Sequence, residues 1–153
     1  MPSSWRIVNE TSGHAAFTGE GARRWPGRWN SRGVPVVYTA ESRSLAILEA
    51  LVNFEGADRS RLPPCVLIEA RFEARFVEVV EPAALPPGWD AYPATPVTRE
   101  FGDRWVAERR TAVLRVASVV TRGEVSYILD PAHPDFERIE VQAPEPMLWD
   151  PRL

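Results

Sequence analysis

Residues 34–54 read Val34-Pro-Val-Val-Tyr38-Thr-Ala-Glu-Ser42-Arg-Ser-Leu45-Ala-Ile-Leu-Glu49-Ala-Leu-Val52-Asn-Phe54, a strand followed at once by a helix. Val34 to Thr39 is rich in β-branched residues, with Pro35 at its start, where a missing N–H is tolerated. Ser42 is a residue type that caps helix N-termini through its side-chain oxygen, and Leu45 to about Phe54 has helix-forming composition. Leu45, Ala46, Ile47, Leu48, Ala50, Leu51 and Val52 make that helix apolar on nearly every side, which predicts burial all round. One carboxylate, Glu49, stands inside the apolar run. Burying a lone carboxylate is costly unless it is paired or lines a polar cleft. Two readings follow: a structural Glu bonded to an Arg, or the carboxylate of an active site.

Outward from this unit the chain alternates short strands with few helices. Trp5 to Val8 reads as a strand, and Thr18 to Gly33 is too broken by Gly and Pro for a regular element. Pro64 to Phe72 and Phe76 to Val80 read as strands, the first with Val66, Ile68 and Ala70 on one face. The Pro-rich stretch from Pro82 to Pro96 carries Trp89 and Tyr92 and reads as an ordered surface loop. Thr98 to about Arg110 is a second helix, with Phe101 and Trp105 paired at i,i+4. Ala112 to Thr121 and Val125 to Leu129 read as strands, and Ile139 to Gln142 as a last strand before a Pro-broken tail. Many short strands with few helices favour α+β over a doubly wound sheet. The expected organisation is one domain over residues 1–153, with a core of about 5–143 and a short C-terminal tail.

Composition narrows the function classes. An apolar fraction of 44% and a charged fraction of 25% are those of an ordinary globular protein. No run approaches the ~20 apolar residues of a membrane span, and Met1-Pro-Ser-Ser-Trp5 lacks the features of a signal peptide. Cys65 is the one cysteine and sits in an apolar run, so a buried core thiol in a reducing, cytoplasmic compartment is expected. A formal charge of -3 argues against direct nucleic-acid contact. All 18 basic residues are Arg, so each cationic site is a planar donor fork suited to carboxylate or phosphate oxygens.

The second candidate stretch is Gly21-Ala-Arg-Arg-Trp-Pro-Gly27-Arg28-Trp29-Asn30-Ser31-Arg-Gly33. Arg among small, backbone-permissive residues can approach a phosphate closely, although the pattern is neither a P-loop nor a dinucleotide-binding fingerprint. Metal chemistry is poorly supplied: His14 and His133 lie far apart and there is one Cys, so no metal site is expected. Asp130-Pro-Ala-His133-Pro-Asp135 reads as a turn that His133 stabilises. No Gly-x-Ser-x-Gly elbow supports a serine triad.

Taken together, Gly27-Arg28-Trp29-Asn30, Val36-Val-Tyr38-Thr-Ala40 and Leu45-Ala-Ile-Leu-Glu49 resemble the first half of the RES-domain family. Leu114-Arg-Val-Ala-Ser118-Val-Val120 and Tyr127-Ile-Leu-Asp130-Pro-Ala-His133-Pro-Asp-Phe136 resemble its second half. The likeness runs from about Trp5 to about Phe136. It implies a toxin of a toxin–antitoxin system, on a fold similar to diphtheria-toxin-like ADP-ribosyltransferases with a split β core and short helices. It also implies NAD+ as substrate, cleaved between ribose and nicotinamide by hydrolysis or phosphorolysis, and an Xre-type helix-turn-helix antitoxin as partner. Carried onto this chain, Glu49 would stabilise the oxocarbenium-like ribose and hold its 2′-hydroxyl. Arg28 would fork onto the pyrophosphate, Tyr38 would stack on nicotinamide, Ser118 would orient Glu49 or bond the ribose, and Arg6 would be a further phosphate contact.

The chain departs from the family pattern at Ala117 (for Pro), Ser126 (for Asn) and Asp130 (for Asn), and the first of these is expected to loosen the strand entering Ser118. Alternatives are transfer of ADP-ribose to a protein target, a non-catalytic nucleotide- or antitoxin-binding member, and an interaction protein unrelated to NAD+. Trp149 and the tail could belong to a homo-oligomer or antitoxin contact.

Overall fold

The computed structural model describes residues 1–53 and 62–153; the expected C-terminus of the first helix, at Phe54, lies outside them. The elements run β1 (Ser3–Asn9), α1 (Glu20–Arg24), β2 (Val37–Ala40), α2 (Arg43–Asn53), β3 (Cys65–Arg71), β4 (Val77–Val79), α3 (Pro96–Ala107), β5 (Val113–Ala117), β6 (Val125–Leu129), β7 (Glu140–Val141) and β8 (Glu145–Met147). One sheet has the order β4-β5-β6-β2-β1-β3-β7, with β8 also on β3. All pairs are antiparallel except β4 with β5.

The sheet is split in its middle. β1 pairs with β3 from Ser3↔Arg71 to Asn9↔Cys65, but meets β2 at a single register pair, Trp5↔Ala40. The two sheet halves are therefore joined through one register pair, while side-chain clusters drawn from both halves pack across that junction. Val36, Trp29, Trp105, Leu114, Val116 and Ile128 build one core, while Ala40 of β2 and Leu67 of β3 seat Leu45 and Ala46 of α2 across the junction of the two halves. A third cluster around Val37, Phe72, Val113 and Leu129 fills the opposite face.

α2 starts as expected, with the Leu45 amide donating to Ser42 Oγ at 3.0 Å. Its burial differs from expectation. Leu45, Ala46 and Leu51 are buried, but Leu48 and Val52 are 42% and 48% exposed. The helix lies against the sheet with one side only, so its apolar composition does not report complete burial. The stretch from Thr18 to Gly33 does contain a regular element, the five-residue α1. Gly19 turns the chain into it at φ 80, and Ala22 anchors it in the first core cluster, so tertiary contact overrides weak local propensity.

Smaller differences have local causes. β2 begins later than expected, at Val37, because the Val34 carbonyl turns away to accept from Asn30 Nδ2 at 3.0 Å. α3 starts earlier, with Pro96 in its first turn, where a missing N–H costs nothing, and ends at Ala107. β4 is preceded by a 3-10 turn at Ala74–Phe76. Phe101 and Trp105 share one cluster, but the edge-to-face partner of Phe101 is Trp29, at 5.9 Å. The C-terminal segment is not simply broken by proline: β8 pairs Cys65↔Met147, and Glu145 meets Arg43 at 3.0 Å. No helix among the described residues is long and apolar enough to cross a membrane.

Candidate active site

Alternation along the strands directs the site. Leu114 and Val116 face the first core cluster, so Ser118, two residues on, follows on that face at the end of β5. The ladder continues through Ala117↔Val125, and the Ser118 amide donates to the Glu124 carbonyl at 2.9 Å. The ladder therefore runs unbroken through Ala117 to Ser118. Ser118 Oγ accepts from the Val120 and Thr121 amides at 3.1 and 3.2 Å and donates to Glu49 Oε1 at 3.2 Å. Both acceptor directions are filled, so the one hydroxyl proton is aimed at the carboxylate.

Glu49 lies one helical turn after Leu45, on the sheet-facing side of α2. Burial raises its carboxyl above the ordinary range; the Ser118 bond and the charge of Arg28 pull it back down. Arg28 is correspondingly influenced from this side. Burial lowers its guanidinium, opposed by Asp90, Glu49 and Tyr38 in that order. Arg28 Nη1 donates to the carbonyls of Trp89 and Ala91 at 3.0 and 2.7 Å.

Tyr38 and the Arg28 loop are locked together by Asn30. The Tyr38 hydroxyl donates to Asn30 Oδ1 at 2.6 Å and accepts from the Trp29 amide at 2.9 Å. Asn30 Oδ1 also accepts from the Gly27 amide at 2.8 Å, and its Nδ2 donates to the Ala22 carbonyl at 2.8 Å. Burial pushes the Tyr38 phenol well above its ordinary range, so it is no proton shuttle near neutral pH. The loop is pinned from outside as well, by the Ser31 amide on Asp103 Oδ1 at 2.8 Å.

Arg6 occupies the gap where β1 and β2 diverge. Its Nη1 donates to the Tyr38 carbonyl at 2.9 Å, while its buried Nε has no hydrogen-bond partner among the described residues. Burial lowers its guanidinium to about 10. Arg6 is thus a buried cation with no carboxylate partner among the described residues.

The structure thus brings Arg28, Tyr38, Glu49 and Ser118 near one another, with Arg6 beside Tyr38. Asp130 and His133 serve the turn instead: Asp130 accepts from the Ala132 amide at 2.9 Å, and His133 Nδ1 accepts from the Asp135 amide at 3.0 Å. Cys65 is buried and free, as expected. Asn30 and the 89–91 carbonyls escaped sequence reading. Asn30 stood inside a quoted motif without a role, and backbone carbonyls carry no residue signature.

This mixed α+β fold, a single sheet with few helices, is that of the RES-domain toxins. The RES domain family model matches residues 3–150, and the chain belongs to that family. It is 40% identical over 154 residues to the "Prs ADP-ribosylating toxin" of Sphingobium sp., covering 99% of this chain and 96% of that protein. It is 32% identical to a "Toxin Res" of Yersinia enterocolitica and 34% to one of Pseudomonas putida, each covering 97% of both chains. The toxin fold also matches a chain in the crystal structure of the M. tuberculosis MbcT-MbcA toxin-antitoxin complex, with TM-score 0.77 and 17% identity over 95% of this chain and 84% of that one.

Proposed function

We propose that this toxin consumes NAD+ by cleaving the bond between ribose C1′ and the nicotinamide nitrogen. The observation that carries the reading is the Ser118–Glu49 hydrogen bond at 3.2 Å beside the charge of Arg28. It sets one oriented, half-buried carboxylate next to a cation. Nicotinamide starts cationic and leaves neutral, taking the bonding electron pair onto its ring nitrogen, so no general acid is required. One carboxylate then does what glycoside hydrolysis ordinarily asks of two. Glu49 stabilises the positive charge growing on the ribose and accepts from its 2′-hydroxyl. Arg28 and Arg6 hold the anionic pyrophosphate, Tyr38 stacks on the nicotinamide ring, and Ser118 orients Glu49. The acceptor oxygen bonds C1′ and releases its proton to solvent.

Water or phosphate as acceptor gives net NAD+ degradation. A protein acceptor is the second reading, favoured by the 40% identity to a relative named as an ADP-ribosylating toxin. The partner we propose is an Xre-type helix-turn-helix antitoxin that covers the cleft in the cytoplasm. The exposed Leu48 and Val52 beside Glu49, and Trp25 at 77% exposure ahead of the Arg28 loop, support a macromolecular contact there. Chromatography of NAD+ with and without phosphate tests the reaction, using Glu49→Ala, which keeps helix propensity, as the control. Loss of NAD+ with native protein and none with folded Glu49→Ala is expected. An intact pool in both, together with no labelled protein from a lysate supplied with labelled NAD+, overturns the reading.

A further inference from the structure

The two ends of the Arg28 guanidinium are treated differently. Nη1 gives its bonds to the Trp89 and Ala91 carbonyls, at 3.0 and 2.7 Å. Among the described residues no hydrogen bond or ion pair falls on Nε or Nη2, so that edge of the fork is unbonded, with the charges of Asp90 and Glu49 acting on the group. The clamping segment is itself held. Leu85 and Trp89 pack on the first core cluster, and the Trp89 and Ala91 amides close turns onto Pro86 and Gly88 at 3.2 and 3.1 Å. Between the two clamping carbonyls, Asp90 Oδ2 accepts from Arg122 Nη2 at 3.1 Å. Arg122 belongs to the turn that opens at Ser118 and closes with the Glu124 amide on Thr121 O at 3.2 Å. One loop thus holds Arg28, the other begins at the residue that holds Glu49, and Asp90–Arg122 ties them together.

We propose that Asp90 and Arg122 are positioning residues, a bridge that keeps the Trp89 and Ala91 carbonyls on Nη1 and so aims the unbonded Nε–Nη2 edge of Arg28 at a dinucleotide pyrophosphate. The proposal rests on the NAD+ reading for its ligand. Their side chains are 36% and 75% exposed, so the pair contributes little to folding. What it changes is freedom: an unclamped Arg must lose several rotamers on meeting a phosphate, whereas a clamped one has lost them in advance.

The test uses full-length toxin released from its partner, with Asp90→Asn, Arg122→Ala and Arg122→Lys. The bridge predicts that Asp90→Asn and Arg122→Ala each raise KM for NAD+, and weaken ADP-ribose binding, by about five- to tenfold. It predicts kcat within about twofold, because the interaction grips a non-reacting part of the substrate. Arg122→Lys retains most of the affinity, the double variant is no worse than either single one, and thermal midpoints do not move. The Ala91 amide exchanges hydrogen faster in both broken variants. Unchanged KM and unchanged exchange overturn the proposal, as does a fall in kcat at constant KM. If native toxin neither consumes NAD+ nor binds ADP-ribose, the dinucleotide reading fails separately. Inorganic pyrophosphate then becomes the probe: affinity lost in Arg122→Ala keeps the clamp, and equal affinity, or none in native protein, overturns it.

Discussion

Glu49 carries opposing demands that pH separates. Its folded-state carboxyl lies above the unfolded value of about 4.3, chiefly through burial. A raised carboxyl contributes stability at acid pH, and that contribution is lost as pH rises through the folded value. Glu49→Gln should therefore gain thermal midpoint over native protein increasingly from acid to neutral pH, measured by calorimetry across that range. The same substitution should lower NAD+ turnover about a hundred- to a thousandfold, since it removes charge aimed at the transition state. In the proposed mechanism the ionised carboxylate is the active form, so the native rate profile should fall on its acid side at a pH above that of an ordinary Glu. Ser118→Ala removes the bond that lowers Glu49, so it should move that acid limb to higher pH. It also leaves the Val120 and Thr121 amides without their acceptor, and should destabilise by about 1–3 kcal/mol in urea titration.

The elements meet through close approaches that two glycines permit. A Cβ on Gly102 would lie 1.7 Å from the Trp29 carbonyl oxygen, so α3 seats directly on the backbone of the Arg28 loop. A Cβ on Gly27 would lie 2.6 Å from Tyr38 Cζ, so that loop in turn seats on the Tyr38 ring. Gly102→Ala must push α3 away from the loop, and we expect a loss of about 1–3 kcal/mol with a rise in KM for NAD+. Gly27→Ala displaces the phenol from Asn30 and should weaken ADP-ribose binding more than it lowers the thermal midpoint. Unchanged binding in both variants would show that the path from α3 through Asn30 to Tyr38 does not set the cleft.

Across the whole molecule, the two sheet halves make one register contact, and the C-terminal strand reinforces only one of them. β8 covers β3 from Cys65↔Met147 to Leu67↔Glu145 and adds the Arg43–Glu145 ion pair. Ending the chain after residue 143 should expose that edge and lower the thermal midpoint by several degrees, since about 1 kcal/mol is worth roughly 2–4 °C at this size. The β3 side should loosen first, seen as faster amide exchange in β3 than in β6. Equal exchange in the two strands would mean that the halves unfold as one unit.

Much of this was legible in the chain because its causes are local. The Ser42 cap, the Val125–Leu129 strand, the buried Cys65 and the turn held by His133 depend on residue types within a few positions of one another, and periodicity records them. The ordered motifs also contained Arg28, Tyr38, Glu49 and Ser118, which the structure brings near one another. Other features were set only when distant segments packed. Leu48 and Val52 are exposed because a sheet takes one side of α2; β8 exists because β3 has an edge to pair; and α1 forms because Ala22 finds a core. The grip on Arg28 joins residues 61 and 63 positions apart through carbonyl oxygens that every residue possesses, so no side-chain pattern could announce it. Sequence determined which charged, hydroxyl and aromatic groups the chain carries. The packing of backbone against backbone determined where those groups point.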